Sequence, residues 1–317
     1  MLTYFLRRVL YTIPIAIGVS LVCFALIHLA PGDPLSAVMP EGASSETIAS
    51  LRSFYGFDRP LAIQYLTWLT HVVTGDFGYS IMTRRAVLGE IGPAVFNSLM
   101  LGVAAVLIGF TVGLLLGLIA GYAAGSARDR VVTSLAVAGV SVPHYWLGMV
   151  LIVIFAVNLG VLPATGMGAG GSTNFAFDWE SLKYLVLPAI SLSVIPAGII
   201  ARTVRGTVAE VLKQDFIQTL YAKGLSPRRI CLHVAKNAAP TVLAIIGLQL
   251  AQLLGGSILV ETVFSWPGTG FLLNTAIFTR DLPVLQGTIL VLAMFFVFIN
   301  LIVDLIQSAF DPRIKRN

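Results

Sequence analysis

The chain has 317 residues, 57% of them hydrophobic and only 11% charged, with a net charge of +5. A soluble globular domain carries about 25% charged residues, so this chain has too few polar side chains for a water-facing surface. Most of its surface must face lipid, which excludes a soluble enzyme and a nucleic-acid-binding domain.

Six apolar runs are long enough to cross a hydrocarbon core, which takes about 20 residues of helix. They lie near Val9–Ala30, Ser98–Ala120, Val131–Val157, Tyr184–Ala201, Val242–Val263 and Val284–Phe310. Backbone polar groups cannot stay unpaired in lipid, so the runs are expected as helices of an all-α membrane protein. The first run follows Arg7-Arg8 but has no small-x-small cleavage site before a soluble region, so it reads as a retained span. The expected organisation is residues 1–30 for the N-terminal end and first span, 31–97 for an ordered outer cap, and 98–317 for a core with five spans. Placing both termini in the cytoplasm puts 14 of the 20 Lys and Arg inside. Only Arg52, Arg59, Arg84, Arg85, Lys183 and Arg280 are left outside, as the positive-inside rule requires. Cys23 lies in an apolar run and Cys231 in a charged loop on this topology, so neither a disulfide nor a metal site is expected.

The outer loop, Pro31–Asn97, contains an amphipathic helix at Leu61–Val73, with Leu61, Tyr65, Leu66, Leu69 and Val73 on one face and Tyr65 and Trp68 at headgroup level. His28 is expected at the interface. In the second span Gly109, Gly113, Gly117 and Gly121 recur every four residues, a flat stripe for close helix approach. Static packing explains it; a sliding surface is the sharper alternative. Pro143 interrupts the third span within Ser141-Val142-Pro143-His144-Tyr145-Trp146, and Pro188 and Pro196 bracket the fourth; each is expected to kink its helix, either as a tolerated bend or to open a passage. The second outer loop, Gly166-Met167-Gly168-Ala169-Gly170-Gly171-Ser172, is expected to be flexible. The fifth span is the most polar. Gln249, Gln252 and Gly256 share a face that should point inward, with Ser257 beside it and Glu261 reaching water at the outer end. Interhelical bonding and the lining of a hydrated path both explain that face. Asp304 is expected to form a polar bond within the bundle.

Arg202–Asn237 is the longest loop on the cytoplasmic side. Asp215–Lys223 has helical character, with Asp215 and Lys223 placed to suit the helix dipole and Gly224 as a C-terminal stop. Pro227 then opens a second helix, followed by Arg228 and Arg229. A short capped helix projecting from a membrane bundle suits a pore gripped by a soluble motor; positive charge for topology alone needs no such helix. No phosphate-cradling Gly-Lys-Ser/Thr loop, His-Glu-x-x-His or convergent Ser/His/Asp set is present, so no catalytic residue is expected.

Pro31-Gly32-Asp33-Pro34, Asp58-Arg59-Pro60-Leu61, Gln64-Tyr65, Trp68, Gly75-Asp76-Phe77-Gly78 and Pro143-His144-Tyr145-Trp146 occur in that order. Glu261-Thr262-Val263-Phe264-Ser265-Trp266-Pro267-Gly268, Arg280-Asp281-Leu282-Pro283 and Asp311-Pro312-Arg313-Ile314 follow. In this order, nearly end to end, the chain resembles the permease subunits of bacterial ABC importers of the oligopeptide, dipeptide and nickel group. The resemblance implies a type I importer fold in the inner membrane and a coupling segment seated in an ATPase cleft. Aligned on Gly224, the family's Glu-Ala-Ala positions hold Gln218-Thr219-Leu220; Thr219 fits the peptide branch and Leu220 departs. It makes Asp215, Thr219, Tyr221, Ala222, Lys223 and Gly224 the coupling residues, with Gln249, Gln252, Gly256, Ser257 and Glu261 along the path. Implied partners are a second permease, two ATPase subunits that bind ATP and Mg, and a periplasmic binding protein touching the Arg59 region, Glu261 and Trp266. Membrane lipid surrounds the bundle, and no cofactor belongs to this chain. Peptide is the first-choice cargo; nickel chelate, glutathione or another small solute is the alternative. An ion-coupled secondary transporter, the rival class, should show acidic or broken-helix sites near the midplane. A membrane-embedded enzyme lacks candidate residues.

Overall fold

The computed structural model describes residues 2–29, 44–54, 58–168, 175 and 177–310. Among these residues eleven α-helices follow one another: α1 Leu2–Leu29, α2 Ser45–Phe54, α3 Leu61–Val73, α4 Val87–Tyr122, α5 Ala127–Ser141, α6 His144–Leu151, α7 Trp179–Leu212, α8 Asp215–Ala222, α9 Pro227–Val263, α10 Thr269–Thr279 and α11 Leu282–Phe310. A π-helical stretch, Ile152–Asn158, continues α6. Among the described residues, extended pairing is confined to a bridge between Tyr79 and Ala86.

Among the described residues four helices are long and apolar enough to cross a membrane: α4, α7, α9 through Pro227–Leu250, and α11 through Leu282–Ile302. A fifth span arises if α5 and the α6 segment count as one, bent by 98°. Among the described residues α1 contributes a shorter apolar helix, Leu10–Ala25, so four or five spans stand against the expected six. Pro143 breaks the third span outright where a kink was expected. It lacks an amide donor, and Val142 before it takes extended backbone at φ −90°, ψ 125°. Pro188 and Pro196, by contrast, lie inside one continuous helix, α7. His28, Asp304 and the Pro31–Pro34 and Asp311–Ile314 motifs fall outside the residues or side chains described.

Packing divides the chain into two compact units, residues 1–96 with 267–298 and residues 97–266 with 299–317. In the first unit α3 spans the expected Leu61–Val73, but only part of the expected face packs. Tyr65 and Trp68 turn to α1, their rings 5.5 and 5.9 Å from Phe24, and the Tyr65 hydroxyl lies 2.8 Å from Ser20 Oγ. Leu61, Leu66 and Val73 stay exposed. Two glycines at positive φ, Gly75 and Gly78, turn the chain after α3. Asp76 Oδ1 accepts the Gly78 amide at 2.9 Å. That amide and the His71 ring hold the Asp76 carboxyl below the usual range. Val87, Ile91, Ala276 and Val284 form the buried core, with Phe77 against it. Asp281 caps the start of α11, where its carboxylate accepts the Val284 amide, and clamps the turn at Ser80–Met82. Its carboxylate accepts the Ser80 hydroxyl at 2.5 Å and the Ile81 and Met82 amides at 3.2 Å.

In the second unit α7 is the hub, packed against α5, α6 and α9. The glycine stripe of α4 also meets α7. A Cβ at Gly113 would lie 2.8 Å from Ala197 O, and one at Gly117 would lie 2.6 Å from Val204 Cβ. Only glycine permits that approach, so the stripe serves packing within the chain. Gly198 on α7 does the same toward Ala136 O of α5, at 2.6 Å for an added Cβ. Part of the expected flexible loop is pinned. The Gly166 amide donates to Phe264 O at 2.8 Å, and Met167 is buried beside Leu187 and Trp266.

One ion pair joins α5 to α7. The Arg205 guanidinium donates to both oxygens of Asp129, at 2.9 and 2.7 Å. Asp129 is 5% exposed and Arg205 38%. Removing one partner strands the other charge, whereas replacing both with apolar residues removes the desolvation cost as well. Arg205→Leu should therefore lower the thermal unfolding midpoint in detergent, and Asp129→Leu with Arg205→Leu should recover part of the loss. A double variant as unstable as the sum of the singles would show that the two side chains do not couple.

Candidate functional site

The Arg202–Asn237 segment is less a loop than two long helices meeting across a short one. α7 runs on to Leu212 and α9 begins at Pro227 and continues to Val263, so the second helix of the expected helix–turn–helix is the fifth span itself. Pro227 suits the first helical turn, and nothing after it interrupts the hydrogen-bond ladder strongly enough to stop the helix. Pro240 is accommodated inside it.

Between them sits α8. Phe216, Ile217 and Leu220, at positions i, i+1 and i+4, place apolar side chains on one face. Ile217 is buried with Val208 and Val211 of α7 and Ile230 and Val234 of α9; Phe216, Leu220 and Leu225 pack against that cluster. The other face is presented to solvent. Asp215, Thr219, Tyr221, Ala222, Lys223 and Gly224 are all exposed, and Tyr221, large enough to gain from cover, is 60% exposed. The C-terminus closes in a Schellman arrangement. The Leu225 amide donates to Leu220 O at 3.2 Å, the Gly224 amide to Tyr221 O at 2.9 Å, and Gly224 sits at φ +72°. Leu220 and Leu225 supply the apolar contact that accompanies this motif. Every residue expected to couple is thus gathered on one face and one end of an eight-residue helix.

The polar residues of α9 do not form one site. Gln249 and Glu261 are twelve positions apart, about 18 Å along a helix. Gln249 is buried and donates to Gln252 Oε1 at 3.0 Å. That bond lies within α9, so bonding between helices does not account for the pair. Gln252 is exposed, against the expectation that the whole face points inward, and Gly256 is half-buried beside the His144 ring. Ser257 is buried. Glu261 does not reach water: it is fully buried and accepts the Ser98 hydroxyl at 2.7 Å. Trp266 is fully buried too. Its indole N–H donates to Asn97 O at 3.0 Å and its amide to Glu261 O at 2.8 Å, so neither residue offers a docking contact in this conformation. The reason is the turn at Ser265, in left-handed backbone at φ 47°, which folds Trp266 back into the core beside Phe175. The Arg59 region is exposed. No three His, Cys, Asp or Glu side chains converge on a metal position among the described residues.

Sequence reasoning missed the Asp129–Arg205 pair. Ser126-x-x-Asp129 held the signal, a capping pattern at the start of α5 in which Ser126 Oγ accepts the Asp129 amide at 3.3 Å. It also missed the Asp281 clamp, whose Ser80 partner lies 201 positions away.

Residues 113–316 match the family described as binding-protein-dependent transport system inner membrane component, and residues 1–91 match the N-terminal family of such components. The dipeptide transport system permease protein of Alkalihalophilus pseudofirmus is 41% identical over 332 residues, covering 99% of this chain and 100% of the relative. The glutathione transport system permease protein of Salmonella choleraesuis is 38% identical over 320 residues, covering 99% of each chain. The dipeptide transport system permease protein of Escherichia coli K12 is 37% identical over 339 residues, again covering 99% of each. Among solved structures, the inward-facing MetNI methionine ABC transporter aligns at a TM-score of 0.57 and 20% identity, over 70% of this chain and 96% of that one. That likeness concerns the fold.

Proposed function

The chain belongs to the family of binding-protein-dependent transport system inner membrane components, and from that premise we propose that it forms half of the pore of an ATP-driven importer of di- or oligopeptides. The observation that carries the mechanism is α8, which is packed on its apolar side against α7 and α9 and exposed along Asp215, Thr219, Tyr221, Ala222 and Lys223. A helix held that way transmits a push on its exposed face to both long helices as a lever, because packed cores switch between arrangements and do not deform smoothly. In this reading a second permease completes the pore, and two cytoplasmic ATPase subunits bind ATP with Mg and grip one coupling helix each. A soluble binding protein delivers cargo from outside, and both termini lie in the cytoplasm, as the Lys and Arg distribution favours. ATP chemistry belongs to the ATPase subunits. Gln252, polar and exposed on an apolar helix, supports a hydrated path along α9.

Peptide cargo rests on relatives named for dipeptide and glutathione transport. The test reconstitutes the chain with its partner permease, ATPases and binding protein and measures ATPase stimulation by di- to hexapeptides, glutathione and nickel chelates. Stimulation by peptides is expected. Stimulation by a non-peptide alone keeps the architecture and overturns the cargo. Uptake driven by a proton or sodium gradient, without ATPase activity, overturns the importer.

A further inference from the structure

The unit formed by residues 1–96 and 267–298 carries a basic surface to which the mechanism above gives no task. The turn from Tyr79 to Ala86 is closed by Ser80 N–H donating to Arg85 O at 2.9 Å and Arg84 N–H to Ser80 O at 3.2 Å. Arg84 stands in this turn at φ 60°, and Arg280, at the end of α10, has φ 56°. Left-handed backbone at a non-glycine residue is costly and persists only where its surroundings impose it. Asp281 does so here. Buried, and bonded to Ser80 Oγ and the Ile81 and Met82 amides, it fastens the turn to the residue next to Arg280.

The nearby carboxylates bond to neutral donors and not to the arginines. Asp281 is occupied by those donors, and Glu90 Oε1 accepts the Thr83 hydroxyl. Arg84, Arg85 and Arg280 are exposed and have no ion pair among the described residues. On the same two segments Tyr79, Met82, Ile277 and Phe278 are 69%, 60%, 52% and 80% exposed. Arginine with aromatic residues and methionine is the composition enriched at protein interfaces. On the topology above, these are three of only six Lys and Arg outside the cytoplasm, a side that the positive-inside rule depletes of such residues. A lipid headgroup needs no fixed backbone, whereas a protein face gains from one, because rigid presentation lowers the ordering cost of binding.

We propose that the Arg84–Arg85–Arg280 surface docks an acidic face of the soluble subunit that delivers cargo, an inference that rests on the importer reading. Opposite charge across such a contact chiefly speeds encounter and fixes register.

The test titrates the cargo-loaded binding protein into the reconstituted complex and reads ATPase stimulation. Changing Arg84, Arg85 and Arg280 together to Glu should raise the half-saturating concentration about tenfold or more, with the maximal rate retained. The change to Lys at all three should stay near wild type. Added salt should weaken the wild type and hardly affect the Glu variant. A photo-cross-linking residue at Phe278 should trap the binding protein. An unchanged half-saturating concentration, a cross-link to the second permease, or a defect that follows the anionic lipid content of the vesicles would each overturn the proposal. If the Glu variant does not assemble, the Phe278 cross-link alone decides. A wild-type complex that no binding protein stimulates would instead overturn the importer reading beneath it.

Discussion

Gly224→Val should abolish ATP-driven uptake while leaving the complex assembled in the membrane. Gly224 holds φ +72° with nothing within 4 Å of an added Cβ. The penalty is therefore conformational, with no clash. A left-handed residue with a side chain costs roughly 1–2 kcal/mol, and a β-branched one is the worst tolerated. Eight residues of helix are too short to be stable alone, so α8 relies on its apolar face and on this cap. Without the cap, the Leu225 and Gly224 amides lose Leu220 O and Tyr221 O, and the last turn frays. That turn displays Tyr221, Ala222 and Lys223, the end of the surface proposed to meet the ATPase. Uptake should vanish, and ATPase activity should no longer respond to loaded binding protein. Gly224→Asn should retain most function, because asparagine adopts the left-handed conformation more readily. Wild-type uptake by the valine variant would show either that the cap is dispensable or that α8 does not couple.

The apolar runs and the glycine spacing were legible because lipid imposes a single rule, that every backbone group pairs locally. Leu61–Val73 was legible as a helix from its periodicity. Its packed face was legible only in part, because Tyr65 and Trp68 are drawn to Phe24 and Ser20, whose position no local pattern encodes. The short helix and its stop could be read from Asp215 through Gly224, since caps and dipoles are local chemistry. Glu261 misled. A carboxylate near a span end ordinarily reaches water, yet here Ser98, from another helix, and the turn at Ser265 take it inside. The break at Pro143 was read as a kink, since proline alone does not fix how far a helix turns. Such a break is also what a secondary transporter would use, so this feature alone does not separate the two classes; the family match does.

Gly117→Leu should be the most destabilising single change in the α4–α7 contact. The added Cβ alone would stand 2.6 Å from Val204 Cβ and 2.7 Å from Ala201 O. The backbone oxygen cannot rotate away, and Val204 is fully buried, so the helices must separate. Overpacking a tight core costs typically about 1–3 kcal/mol, and separating α4 from α7 also loosens Gly113 and Gly121, which depend on the same approach. Gly117→Ala should cost less, yet still lower the unfolding midpoint in detergent, because even its methyl group lies inside the forbidden distance. Gly102→Ala, on the same helix with nothing within 4 Å, is the control and should be neutral. Van der Waals contact drives association where lipid offers no hydrophobic gain, so the loss should appear as reduced folded protein in the membrane as well as a lower midpoint. A Gly117→Leu protein with wild-type stability but no transport would point the other way: α4 would be free to move off α7, and the stripe would be a sliding surface.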